Sequence, residues 1–116
     1  MVTELKIKQL GQVDLTTTSV TAIAVPAKRT RFLVQSIFVC NYLGTAVTTK
    51  LFQDKDGTDA TNATCIYSQS DALSTKLDFP SGSGVVIDNP GTFYASCNTA
   101  NAVCVTLYGM EIQHNA

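Results

Sequence analysis

A short acidic string is the strongest candidate for chemistry in this sequence. Asp54, Asp56 and Asp59 stand close together around Gly57, and carboxylate oxygens are the ligands that calcium prefers. The string lacks the glutamate that completes an EF-hand loop, and it falls between predicted strands rather than helices. Asp and Gly are also common turn residues. The string therefore predicts a plain polar turn, with a weak structural calcium site as the alternative.

The other polar residues do not form a pattern typical of an enzyme. The single histidine, His114, lies in the last few residues, whereas a catalytic histidine needs a rigid neighbourhood that orients it. The sequence contains no paired carboxylates, no glycine-rich phosphate loop and no Cys and His arrangement. We therefore predict a non-enzymatic protein without a cofactor.

The four cysteines all fall within apolar strand patterns: Cys40, Cys65, Cys97 and Cys104. Their spacings match no zinc template, which favours free and buried thiols. Cys97 and Cys104 are the one pair that could instead be bonded to each other. A four-residue hairpin loop between them would place the two thiols opposite each other, whereas a two-residue loop would not.

The composition favours contact with other proteins over contact with nucleic acid or membranes. Charged residues make up only 15% of the chain, and eight Lys and Arg nearly balance nine Asp and Glu, so the chain lacks a basic footprint. The small basic cluster of Lys28, Arg29 and Arg31 predicts a solvated turn or a contact with a neighbouring subunit.

Tyr42, beside Gly44, is the one tyrosine expected in a loop, where it could stack on a sugar or a partner. Without a membrane-spanning run or a signal peptide, we expect synthesis in a cytoplasm.

Strand patterns separated by turn residues run through the whole chain. The segment from Arg31 to Asn41 is apolar on both alternating faces, which predicts a central strand buried from both sides. The remaining strands are predicted at 5–10, 13–25, 46–52, 63–68, 73–79, 85–87, 92–97 and 102–112, the last two as a hairpin. Asn89-Pro90-Gly91 fits a type II turn. The pattern predicts an all-β protein, an antiparallel β-sandwich of jelly-roll or Greek-key type with eight or nine short strands.

The first residues alternate between apolar and polar, which predicts an edge strand or an extended arm. Leu5, Ile7 and Leu10 supply its apolar positions. Such an arm could add a strand to a neighbour's sheet. We therefore divide the chain into an arm or edge strand at 1–12, a sandwich domain at 13–112 and a tail at 113–116.

Several short runs resemble, in order and spacing, a group of small virion structural proteins of tailed bacteriophages. The resemblance covers the chain from about Leu10 to Ile112, and it is carried by Leu10-Gly11-Gln12, Val25-Pro26-Ala27, Val39-Cys40-Asn41, Tyr94-Ala95-Ser96 and Leu107-Tyr108-Gly109-Met110-Glu111-Ile112.

This resemblance implies a structural β-sandwich mounted on a virion in several symmetric copies, assembled in the host bacterial cytoplasm. The expected position is the outside of the capsid, as a decoration or cement protein, with the major capsid protein as partner and self-association into a trimer. A tail or fibre-associated position, with tail proteins as partners, is the first alternative. A carbohydrate-binding sandwich module is the second.

Overall fold

The fold is a pair of antiparallel sheets packed face to face. The computed structural model describes residues 7–57, 60–80 and 84–113. Within these ranges it contains no α-helix, one 3₁₀ turn at Asn62–Thr64, and nine strands: β1 (Ile7–Asp14), β2 (Thr21–Ala24), β3 (Thr30–Asn41), β4 (Val47–Asp54), β5 (Cys65–Asp71), β6 (Thr75–Asp78), β7 (Val85–Asp88), β8 (Thr92–Cys97) and β9 (Val103–Gln113). The prediction of an all-β antiparallel sandwich is confirmed.

The chain crosses several times between the two sheets. Sheet A has the order β1-β9-β3, and the free side of β3 pairs with β7 along its first half and with β6 along its second half. Sheet B has the order β2-β8-β4-β5. β3 and β9 pair along almost their whole length, from Thr30 opposite Gln113 to Asn41 opposite Val103. These two strands form the middle of sheet A.

The core lies between the facing sides of the two sheets. Side chains alternate between the two faces of a strand, so every second residue points inward. Val34, Ile37 and Leu107 are among the fully buried side chains of sheet A, and Leu51 and Phe93 are among those of sheet B. β-branched and aromatic residues at these alternating positions explain why the sequence forms strands here.

The predicted burial of β3 from both sides is wrong. Phe32, Val34 and Ile37 point into the core, but Phe38 is 37% exposed and Cys40 is also exposed. The outward side of β3 belongs to a sheet face that no described element covers. An apolar strand pattern shows that both faces are apolar, but it does not show whether the second face is covered.

The predicted hairpin between β8 and β9 is also wrong. β8 lies in sheet B and β9 in sheet A, so the loop between them crosses from one sheet to the other. Cys97 is paired with Thr49 in sheet B, whereas Cys104 is paired with Cys40 in sheet A. All four cysteines are free thiols, but of the four only Cys97 is buried, so the predicted burial is wrong for Cys40, Cys65 and Cys104.

The N-terminal region differs from the prediction in its strand bounds. A single strand at 13–25 was expected, but β1 ends at Asp14 and β2 begins at Thr21. β1 forms the edge of sheet A beside β9, and its Leu10 packs against the core. Part of the predicted arm is therefore an edge strand of the sandwich itself, while Leu5 lies outside the described residues.

The turn before β8 is not of type II. A type II turn requires a positive φ at its second central residue, and Gly91 does not have one. Instead, the Asn89–Pro90 peptide is cis, and the amide of Gly91 donates to the carbonyl of Asp88. These features place Pro90 at the third position of a type VI turn.

Candidate interaction surface

The outer face of sheet A carries an unbroken row of apolar side chains. Residues paired across antiparallel strands share one face of the sheet. The register aligns Ile7 of β1 with Met110 of β9, Met110 with Leu33 of β3, and Leu33 with Val86 of β7. These four residues, the apolar row, cross four strands. Ile7 is 66% exposed and Val86 43%, so both ends of the row are open to solvent.

An aromatic pair extends this surface along the strands. The rings of Phe38 and Tyr108 lie edge to face with their centroids 5.4 Å apart, a geometry that aromatic pairs favour. The ammonium group of Lys76 lies 5.2 Å from the centroid of the Phe38 ring. Together with Ile7, Ser36 and Thr106, the two rings line a shallow depression of about 400 Å³.

The charges on this face are paired within the molecule. Arg31 donates two hydrogen bonds to the carboxylate of Asp88, at 2.7 and 3.0 Å, and these bonds raise the pKa of the Arg31 guanidinium. Lys76 lies 3.3 Å from Asp78. Such exposed pairs add little stability. Their effect here is to leave the face apolar in the middle and close to neutral at its margins.

The outer face of sheet B has a different chemistry. Its register aligns Ser68 of β5 with Lys50 of β4, and Lys50 with Ser96 of β8. The neighbouring pair is Thr48 and Ser70. This half of the face is therefore hydroxyl-rich, and beyond it the paired Phe52 and Tyr94 follow, of which Phe52 is buried. The exposed apolar row of sheet A has the character of a protein contact.

The interaction residues predicted from the sequence do not form one site. Ile7 belongs to the apolar row. Arg31 lies in the first half of β3, close to the point where the row crosses that strand. Lys28 and Arg29 are exposed in the turn before β3. Tyr42 follows the opposite end of β3 and donates a hydrogen bond of 2.5 Å to Asp14.

The acidic string adopts the geometry of a turn. Asp54 ends β4 and is buried, and its carboxylate accepts a hydrogen bond from the amide of Asp56. Gly57 has a φ of 73°, and its carbonyl accepts a 2.9 Å hydrogen bond from the hydroxyl of Tyr94. Asp59 lies outside the described residues. Among the residues that the structure does describe, no three His, Cys, Asp or Glu side chains are grouped to hold a metal ion.

A larger cleft opens between the two sheets, along the side formed by β5, β6 and β7. Its volume is about 790 Å³, and Ile66, Tyr67, Leu77, Phe79 and Val85 supply most of its apolar wall. Tyr67 is the only tyrosine in this wall. The cleft is the open edge of the sandwich core, and Gln53, Lys76 and Asp78 supply the polar groups of its lining.

Sequence reasoning missed the apolar row because it depends on the register of four strands. The sequence nevertheless contained an indication of this apolar face. Outward positions of β3 and β9 carry Leu33, Phe38, Tyr108, Met110 and Ile112, which is unusual for a sheet face that meets water.

Comparison with known proteins identifies no relative: no family model, no curated protein and no solved structure matches the chain. In the described part of the chain, no helix is long and apolar enough to cross a membrane.

Proposed function

We propose that this protein is a non-enzymatic structural component of a tailed-phage virion, a decoration protein that docks on the outer capsid shell through the outer face of sheet A. The observation that carries the proposal is the apolar row of Ile7, Met110, Leu33 and Val86. It crosses one broad side of a molecule measuring 50 × 26 × 20 Å. That side is large enough for the roughly 800 Å² that each partner contributes to a standard interface.

Two further features support this proposal. The motifs that resemble tailed-phage virion proteins extend over most of the chain. The strand orders β1-β9-β3-β6 and β2-β8-β4-β5 are compatible with a jelly roll, an architecture that occurs in viral capsid proteins and in lectins. Because a fold by itself does not determine function, the proposal rests on the apolar row, which supports a protein partner.

Substitutions at the two exposed ends of the row test this function. Ile7→Lys and Val86→Lys place a charge in the proposed contact without removing a buried side chain, so we expect folding to be retained. Binding to virions or capsid shells prepared without the protein should fall at least tenfold, measured by co-sedimentation. Ser68→Lys and Ser96→Lys add the same charge to sheet B and should bind like the wild type. Unchanged binding by the sheet A variants would refute the proposed docking face.

The proposed partners are the major capsid protein and further copies of this chain. Because a capsid presents symmetric sites, repeated copies gain avidity from weak single contacts. We expect a trimer in solution, and light scattering at high and low protein concentration measures it. A monomer at every concentration would contradict self-association outside the particle. Binding to isolated tails but not to shells would move the protein to the tail.

A carbohydrate-binding module is the second candidate, and the cleft beside Tyr67 is the observation that favours it. This function predicts saturable binding to a glycan array and its loss in Tyr67→Ala. Glycan binding that survives in Ile7→Lys, together with no binding to particles, would replace the virion proposal.

A further inference from the structure

Two thiols face each other on the outer face of sheet A. Cys40 of β3 and Cys104 of β9 are register partners. Cys40 is exposed, Cys104 is partly exposed, and neither is bonded. On the other side of Cys104, the register places Asp14 of β1, so the two thiols and a carboxylate occupy one line across the sheet.

The pairing pattern defines the geometry of the two cysteines. The amide of Tyr42 donates to the carbonyl of Ala102 at 2.9 Å, two residues further along the same ladder. Since hydrogen-bonded and non-hydrogen-bonded pairs alternate, Cys40 and Cys104 form a hydrogen-bonded pair, with Cα atoms about 5.5 Å apart. That separation lies within the disulfide range, but Cβ atoms about 5.5 Å apart exceed the roughly 4.5 Å upper value for a disulfide.

We propose that Cys40 and Cys104 are a redox-active pair that forms a reversible disulfide by exchange with a low-molecular-weight disulfide such as oxidised glutathione. The thiolate of Cys40 attacks one sulfur of the small disulfide, forms a mixed disulfide and releases one small thiolate. The thiolate of Cys104 then attacks the Cys40 sulfur and releases the second. The protein loses two electrons and two protons, and the small disulfide becomes two thiols.

The surroundings of Cys40 and Cys104 indicate which thiol carries out each step of the exchange. Cys40 is the more exposed thiol, so it meets the small disulfide first. Burial raises the pKa of the Cys104 thiol, and the nearby Asp14 and Cys40 act in the same direction, whereas its hydrogen bond with Thr106 opposes them. Cys104 is therefore the resolving thiol, which acts once the mixed disulfide has brought a reactive sulfur next to it.

The disulfide is expected to be easy to reduce. Bond formation must draw the Cβ atoms together by about 1 Å, which strains the two central strands of sheet A. Strained and exposed disulfides have higher reduction potentials than unstrained structural ones. The other cysteines do not compete, because Cys97 is buried in sheet B and Cys65 lies in β5, opposite Phe52.

Treatment of the folded, reduced protein with oxidised glutathione tests this proposal. Remaining thiols are alkylated, and intact mass and peptide mapping identify the product. We expect a protein that has lost two hydrogen atoms, retains no glutathione and carries a link between Cys40 and Cys104. Dithiothreitol added before alkylation should restore the original mass.

Single substitutions distinguish the two steps. Cys104→Ser should stop at a glutathione adduct on Cys40, and Cys40→Ser should form no internal link. Cys65→Ser and Cys97→Ser should still form the link. A stable glutathione adduct on wild-type Cys40, a link through another cysteine, or a link that forms only in urea would each overturn the proposal. This test uses the isolated protein, so its result does not depend on the virion function.

Discussion

Two phenylalanines, one from each sheet, differ sharply in what surrounds them. Phe93 is fully buried between the sheets, whereas Phe38 is 37% exposed on the outer face of sheet A. We expect Phe93→Ala to lower the free energy of unfolding by about 3 to 5 kcal/mol, because it leaves a cavity. Phe38→Ala should cost about 1 kcal/mol, since it removes a surface aromatic contact. Urea unfolding of both variants measures the difference, and equal losses would mean that the outer face is covered in the isolated protein.

Tyr42 is half exposed and makes a short hydrogen bond through its hydroxyl. Its hydroxyl donates to Asp14, and this bond, followed by burial and by the nearby charges, raises the pKa of Tyr42 to about 12 from an ordinary value of 10.0. The protonated hydroxyl is the form that donates. The stabilising effect is therefore complete below pH 10 and is lost as the pH rises through about 12.

Asp14→Asn should lower the pKa of Tyr42 towards 10, because the carboxylate no longer accepts the bond as an anion. The measurement is the tyrosinate absorbance during an alkaline titration, with Tyr42→Phe as the matched variant that removes this one group. A wild-type minus Tyr42→Phe difference curve centred near pH 10 would contradict the expected effect of Asp14.

At the level of elements, Asn41 connects two loops at one end of the sandwich. Its side-chain amide donates to the carbonyls of Thr45 and Asp71, and its side-chain oxygen accepts from the amides of Leu43 and Gly44. One side chain therefore joins the β3–β4 loop to the end of β5.

Asn41→Ala should lower the free energy of unfolding by about 1 to 3 kcal/mol and should speed hydrogen exchange in the β3–β4 loop, because several backbone groups lose their partner together. Asn41→Asp keeps both acceptor bonds and loses both donor bonds, so it should be intermediate. Exchange rates identical to the wild type in Asn41→Ala would show that water replaces these contacts without loss.

The close approach of β3 and β9 depends on a residue without a side chain. Gly109 lies opposite Val34, where a register shift interrupts the ladder, and a Cβ there would overlap the carbonyl oxygen of Leu33. We expect Gly109→Ala to lower the free energy of unfolding by about 2 to 4 kcal/mol, because backbone atoms must move to admit it. Gly44→Ala, which has open space but a φ of +85°, should cost about 1 kcal/mol. A smaller loss for Gly109→Ala than for Gly44→Ala would contradict this packing.

The sequence predicted the strands well where alternation and turn residues agree. The bounds expected for β3, β8 and β9 differ from the observed ones by one residue or less. The one strand pairing that it predicted, β8 with β9, was wrong. Nothing local in the five residues between Cys97 and Val103 indicates that they cross between sheets, because that path depends on strands far away in the sequence. The apolar row and the Cys40–Cys104 pair were missed for the same reason, since both arise from register.

For the whole molecule, the near-neutral charge predicts how binding should respond to salt. The chain has a formal net charge of −1, and the ion pairs beside the apolar row are internal. Binding through this face should therefore change less than threefold between low and high ionic strength, because salt screens charge and leaves apolar burial intact. Co-sedimentation with capsid shells at two salt concentrations measures this. A steep loss of binding in salt would instead assign the contact to Lys28, Arg29 and their neighbours.

The position of β9 in the middle of sheet A has a consequence for how the chain acquires its structure. β1 and β3 both precede β9 in the chain by many residues, yet β9 lies between them and pairs with both. Sheet A therefore cannot form completely until Val103–Gln113 has left the ribosome. Until then, the edge of β3 that pairs with β9 is open, so the nascent chain is exposed to aggregation and sheet A is expected to form slowly.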